Sequence, residues 1–223
     1  GAEILDVNVG HPEIDEKKMM VRVLKAIQSV CDVPLQIDST KPEVIEAGLR
    51  YYNGKPILNS VNGEEQSLAT VLPLVKKYGA SVVGLALDEN GIPKTAEGRF
   101  EIAKRIVERA EAVGIDRKDV YIDCLTLTVS AEQAACRQTL EALHRVKTEL
   151  GCKTCLGVSN ISFGLPNREL VNRTFLTMAM EQGLDLPIIN PNVESMTGAV
   201  RAFRVLNGID KNSLEFINAY NDA

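Results

Sequence analysis

Residues 34–59 read PLQIDSTKPEVIEAGLRYYNGKPILN, one apolar run, one helical pattern and a second apolar run. The first run stops on Asp38. Thr40-Lys41-Pro42 then opens a helix, because proline's fixed φ suits the first helical turn. Apolar positions recur at helical spacing up to Tyr52, and Asn53-Gly54 turns the chain into a run ending on Asn59. Short apolar stretches bounded by turn residues predict buried strands, so the segment predicts strand, helix, strand.

Outward from this unit the same alternation continues. Strands are predicted near 3–8, 34–38, 56–59, 81–87, 120–123, 154–160 and 187–190. Helices are predicted near 13–30, 42–52, 67–78, 95–113, 131–150, 168–182 and 196–206. Asp15 is placed to open the first helix, and Gly79, Gly114, Gly151, Gly183 and Gly208 to close later ones. Ile102, Ile106 and Ala110 opposite Lys104, Glu108 and Glu111 form an apolar stripe with a charged back.

Strict alternation implies a parallel sheet covered by helices. Six of the apolar runs stop on an acid or amide: ILDVN (Asp6, Asn8), LQID (Asp38), ILN (Asn59), VYID (Asp123), LGVSN (Asn160) and IIN (Asn190). Polar strand ends all along the chain favour an α/β fold of the TIM-type (β/α)8 barrel over an open sheet with one switch point. Seven strand–helix units are counted where a closed barrel needs eight. The chain is therefore expected to lack its first strand, which would lie upstream, or to have the gap covered by a neighbouring chain. Residues 1–208 are expected to form the barrel, and 209–223 a C-terminal tail or the start of a linker to a further domain.

Composition narrows the partners. The 223 residues are 45% hydrophobic and 25% charged, with net charge −5, the balance of an ordinary globular protein. An acidic chain is a poor nucleic-acid binder, since phosphate contacts need a basic face. No apolar stretch reaches the ~20 residues of a membrane span, and no signal-peptide pattern opens the sequence, so a cytoplasmic location is the simplest expectation. Neither G-x-G-x-x-G nor G-x-x-x-x-G-K-[ST] occurs. The five cysteines suggest reduced, packing thiols rather than a disulfide framework. Cys152-x-x-Cys155 lacks a second pair for a zinc site, and Cys124, next to Asp123, should face the opposite side of its strand. A rim of acids and amides suits a polar heterocycle better than a phosphate or a metal.

In order, DVNVG, IDST, NSVNGE, DENGIP, IDC and GVSNISFGLPNRELVNRTFL (157–176) resemble the pterin-binding domain of folate-dependent methyltransferases. That family includes methyltetrahydrofolate:corrinoid methyltransferases and the folate domain of cobalamin-dependent methionine synthase. The resemblance runs from Ala2 to about Gly208. It implies a barrel that binds methyltetrahydrofolate or tetrahydrofolate as substrate, with Asp38, Asn59, Asp123 and Asn160 as the leading pterin contacts. Asp6 and Asn8 line the same rim, and Arg168 lies near the pocket mouth or the folate tail.

Chemistry fits that assignment. A pterin presents adjacent N–H and amino donors, matched by a carboxylate accepting two hydrogen bonds, the role expected of Asp123. Asn59 offers one donor and one acceptor. Breaking the N5–methyl bond would leave an amide anion unless N5 is protonated or hydrogen-bonded. Asn160 is the expected partner of N5, and Asp38 its electrostatic support, which makes these two the expected catalytic residues. No metal ligands are expected. The corrinoid must come from another domain or protein, because D-x-H-x-x-G is absent: His11 sits in GHPEID, and His144 lies on a charged helix. A homodimer is expected from the resemblance alone.

Plainer readings stand beside these. Asp and Asn at strand ends also cap helices and make turns. Asn190 is the weakest rim candidate because Pro191 follows it. Arg168 could be a surface anchor, while Phe163, Phe175, Met19, Met20, Met178 and Met180 suit packing. The rival activity is dihydropteroate synthase-like. That reaction expels pyrophosphate and calls for cations at the late strand ends, which here read GVSN and IINP.

Overall fold

The computed structural model describes residues 1–221. Seven parallel strands run in sequence order: β1 (Leu5–Asn8), β2 (Leu35–Asp38), β3 (Ile57–Asn62), β4 (Ser81–Leu85), β5 (Val120–Asp123), β6 (Lys153–Gly157) and β7 (Leu186–Ile188). Eight α-helices accompany them: α1 (Glu16–Gln28), α2 (Pro42–Tyr51), α3 (Glu65–Tyr78), α4 (Ala96–Ala112), α5 (Ala135–Arg145), α6 (Arg168–Glu181), α7 (Glu194–Leu206) and α8 (Leu214–Tyr220). The result is a nearly closed TIM-type barrel lacking one strand. β1 and β7 are the end strands, and a cavity of about 240 Å³ lined by Ile4, Asp6, Gln36, Leu186 and Ile188 lies between them.

Alternation along each strand sorts the side chains. Leu35, Ile37, Leu58, Val82, Val120, Ile122 and Leu156 pack outward with the helices in one large core. The intervening positions Ile57, Val83 and Cys155, with Ile4, Leu85, Tyr121, Leu186 and Ile188, form a second, smaller cluster inside the barrel. Fully buried Ile106 on α4 sits against β4 where Gly84 leaves room; a Cβ there would meet its Cγ2 at 2.8 Å. Burying an isoleucine of this kind contributes roughly 1.5–3 kcal/mol.

Helix ends follow their capping residues. Asp15 accepts from Lys18 N at 3.1 Å and so starts α1 at Glu16, later than the apolar pattern alone suggested. Pro42 occupies the first position of α2. Gly79 closes α3 at φ +67°, a left-handed conformation that a side chain resists. α5 begins at Ala135 rather than 131, because Thr128 and Ser130 are tied to the Phe163 carbonyl, both at 2.7 Å; it continues as a π turn over Val146–Leu150. Strand β6 ends at Gly157, and Asn160 lies on a 3-10 turn, Val158–Ser162, rather than on the strand.

After α7, buried Asp210 accepts the amides of Glu215 and Phe216 at 3.1 and 2.9 Å and starts α8, which packs on α7. Of the expected tail, residues 222 and 223 lie outside the described residues. All five cysteines are free. Cys124 is buried in the outer core, and Cys152 and Cys155 lie in different apolar clusters. No helix among the described residues is long and apolar enough to cross a membrane.

Candidate active site

Register places Asn8 and Asp38, at the ends of β1 and β2, in one row with Asn59, which lies inside β3 because that strand runs on to Asn62 instead of stopping at 59 as expected. Gly10 N–H donates to Asn8 Oδ1 at 2.8 Å, which turns Asn8 Nδ2 toward Asp38 Oδ2, 2.9 Å away. One carboxylate oxygen of Asp38 is thereby held, and the other takes no side-chain hydrogen bond among the described residues. Asn59 is half-buried and sits at a bulge between Asn59 and Val61, where β3 shifts register against β4.

One layer deeper, Asp6 Oδ1 accepts from Gln36 Nε2 at 2.7 Å. Gln36 is only 2% exposed, and its Oε1 has no partner. Partial burial lifts the Asp6 carboxyl above its ordinary pKa. Gln36 opposes the rise, the Asp38 carboxylate adds to it, and Asn59 opposes it again.

On the other side, Asp123 ends β5 almost fully buried. Its Oδ1 accepts the Leu125 N–H at 2.7 Å, and the amide of Gly157 on neighbouring β6 also favours its ionised form. Burial pushes its pKa up to about 6, against the lowering effect of these two amides and of the Arg99 guanidinium. Asn160 is exposed, and its Nδ2 lies 3.4 Å from where a Cβ on Gly157 would stand. Asn160 Nδ2 therefore lies over Gly157, the last residue of β6, the strand that pairs with the one ending on Asp123.

Arg168, the first residue of α6, reaches back to this turn. Its Nε donates to Ser162 Oγ and its Nη2 to the Ser159 carbonyl, both at 3.0 Å, and the guanidinium stacks 4.4 Å over Phe163. It therefore props the segment carrying Asn160. Asn190 is different: its Oδ1 accepts from Asn192 N at 3.0 Å, an Asx turn leading into α7.

Asp6, Asn8, Asp38 and Asn59 thus form one group, and Asp123 on β5, with Asn160 on the turn after the neighbouring β6, lies apart from it. Both border one interior. Cys155, buried inside the barrel, has its thiol pushed up by burial first and then by the charges of both Asp123 and Asp6. Two residues escaped the sequence reading. Gln36 carried a signal in being polar two residues before Asp38, which puts it on the same face of β2. Arg99 carried another: it lies four before Ala103 and seven before Ile106, a cation on α4's buried stripe, and it is fully buried. No cluster of three potential metal-ligating side chains occurs among the described residues.

The profile of the pterin binding enzyme family matches residues 1–190. Methionine synthase of Mycobacterium leprae is 34% identical over 203 residues, 85% of this chain but 17% of that protein. The chain thus spans about a sixth of its length. The methylcorrinoid:tetrahydrofolate methyltransferase of Eubacterium limosum is 30% identical over 226 residues, covering 99% of this chain and 82% of that protein. Among solved structures, dihydropteroate synthase of Stenotrophomonas maltophilia superposes with a TM-score of 0.75 at 19% identity, covering 94% of this chain and 83% of that one. That likeness is one of fold. The family match over most of the chain and the Eubacterium limosum relative agree: this chain belongs to the pterin binding enzymes.

Proposed function

We propose that the barrel mouth binds a reduced folate and moves a methyl group between N5 of methyltetrahydrofolate and a corrinoid cobalt carried by another domain or protein. The observation that carries this reading is the buried Asp123 carboxylate, fixed by the Leu125 amide, facing the same interior as the Asn8–Asp38–Asn59 row. The names of the similar proteins, methionine synthase and methylcorrinoid:tetrahydrofolate methyltransferase, support it.

Asp123, ionised at neutral pH, accepts the adjacent N–H and amino donors of the pterin's pyrimidine edge, and Asn59 adds a donor and an acceptor. Asn160 hydrogen-bonds N5, and the free oxygen of Asp38 stabilises positive charge there. As the methyl carbon leaves N5, its bonding electron pair stays on nitrogen and is taken up by a proton, so the folate departs as a neutral amine. The corrinoid supplies the cobalt that accepts or donates the methyl group. This chain's two histidines do not fit as its ligands: both are exposed, and His11 Nδ1 accepts from Glu13 N within its own turn.

A dihydropteroate synthase-like activity is the alternative, favoured by the shared fold. It is disfavoured by the late strand ends. The lysine of β6, Lys153, sits at the strand's N-terminal end against the Tyr121 hydroxyl, 3.2 Å away, far from the rim. Calorimetry with methyltetrahydrofolate, followed by incubation with free cob(I)alamin, tests the proposal. Binding and formation of tetrahydrofolate are expected. Absence of both, with dihydropteroate formed from a pterin pyrophosphate and p-aminobenzoate, would replace it with the alternative.

A further inference from the structure

We infer that Arg99, working with Thr139, is a positioning residue that locks the turn after β5 and through it aims the Asp123 carboxylate. The inference rests on the reading of Asp123 as the pterin anchor. Arg99 lies on α4 with no solvent exposure. Its Nε donates to the Pro93 carbonyl at 2.9 Å. Its Nη1 reaches the carbonyls of Cys124 and Leu125 at 3.1 and 2.9 Å, and Thr139 Oγ1 at 2.7 Å. Thr139, fully buried on α5, donates in turn to the Leu125 carbonyl at 3.0 Å.

One peptide unit carries the effect. The Cys124 carbonyl held by Arg99 belongs to the same planar amide whose Leu125 N–H bonds Asp123 Oδ1. Pulling that carbonyl toward the guanidinium points the N–H at the carboxylate and polarises it. Leu125 takes φ +62°, a left-handed conformation unusual for a residue with a branched side chain, and the two bonds to its own carbonyl hold it there.

Charge points the same way. A buried cation normally sits against an anion, yet the hydrogen bonds of Arg99 go to carbonyls and one hydroxyl, and its Nη2 is unpartnered. The ionisable groups nearest Asp123 are Arg99 from α4, Cys124, the residue that follows it, and Cys155 on β6. Burial pushes both thiols upward, so both are neutral. Asp123 is thus the counter-charge of Arg99, reached through a peptide group instead of directly. A purely structural arginine would need no such aim.

Three variants of the full chain test this: Arg99→Met, Thr139→Val and Thr139→Ser. Thr139→Val keeps the shape and removes the hydroxyl, and should weaken methyltetrahydrofolate binding about tenfold, the weight of one buried hydrogen bond. Thr139→Ser should restore affinity to within about twofold, because it returns that bond. Arg99→Met should raise the midpoint of the Asp123 carboxyl titration, followed by carbon NMR and assigned with Asp123→Asn, above about 6. A folded Arg99→Met protein with an unmoved midpoint, or Thr139→Val binding like the parent, would overturn the inference. If Arg99→Met does not fold, the Thr139 pair decides. Failure of the parent chain to bind methyltetrahydrofolate would instead fault the folate reading, and the carboxyl midpoint would still judge the clamp.

Discussion

The Asn8 amide donates to Asp38 Oδ2 at 2.9 Å across the β1–β2 pair, and it does so in one orientation because Gly10 N–H holds Asn8 Oδ1. Asp38 is thus a carboxylate with one oxygen already engaged. Removing the amide in Asn8→Ala lets the carboxylate rotate and swings its other oxygen away from the position proposed for N5, so kcat should fall about tenfold with a smaller change in KM, the pattern of a lost transition-state contact. Asn8→Asp should be worse. Two adjacent carboxylates resist ionising together, and the pair would titrate as a unit at higher pH. Methyl-transfer rates measured with free cob(I)alamin from pH 5 to 9 check both; an Asn8→Asp enzyme with the parent's rate and pH profile would contradict the proposed role.

Asp123 sets the pH dependence of binding. With its pKa at about 6, the carboxylate proposed to accept the pterin's donors is protonated progressively below that value. Affinity for methyltetrahydrofolate should be level above pH 7 and fall about tenfold per pH unit well below 6, as one required ionisation demands. Calorimetry across pH 4.5–8 measures this. Asp123→Asn should bind weakly at every pH, with the inflection gone.

The same residue should trade stability for binding. Its folded pKa is raised above the unfolded value near 3.9, so the native state holds the proton more tightly. Its contribution is therefore neutral below about pH 4, turns unfavourable between 4 and 6, and reaches about 3 kcal/mol of lost stability above 6. Asp123→Asn removes the buried charge but offers the Leu125 N–H a weaker, uncharged acceptor, leaving a net gain of about 1–2 kcal/mol at pH 7. Thermal melts should show Asp123→Asn a few degrees more stable than the parent at pH 7 and no more stable at pH 4. A melting point lowered at pH 7 would mean the carboxylate is needed for the fold.

The barrel was legible because its signals are local. Each apolar run and its acid or amide could be seen within a few residues, and Asp38 and Asp123 do end their strands, whereas β3 runs on past Asn59 to Asn62 through a bulge that the sequence did not signal. Asn160 was legible as a polar residue after a strand, but its placement on a 3-10 turn over Gly157 depends on Arg168 reaching back from α6. Arg99 was hidden for a related reason. A cation on a buried stripe reads as a pattern error until the carbonyls of Cys124 and Leu125, 25 and 26 residues away, are seen to meet it. What the sequence conceals is the support behind the ligand-facing groups, because those contacts join loops from different units.

Arg168 can act in two ways, and a truncated ligand separates them. Its bonds to Ser162 Oγ and the Ser159 carbonyl, with the Phe163 ring beneath, make it a brace for the Asn160 turn. A role at the folate tail would instead need it to meet the ligand's glutamate carboxylates. Arg168→Ala removes both possibilities, and Arg168→Lys keeps the charge but loses the planar fork and the stacking face. If bracing dominates, both variants should lower kcat/KM about tenfold or more, the weight of one or two hydrogen bonds made by a charged group. The loss should be the same for methyltetrahydrofolate and for a methyltetrahydropterin lacking the p-aminobenzoylglutamate tail. If tail binding dominates, Arg168→Lys should be near normal, and only the intact folate should feel Arg168→Ala. The geometry favours the first outcome, since both groups Arg168 bonds belong to the turn carrying Asn160.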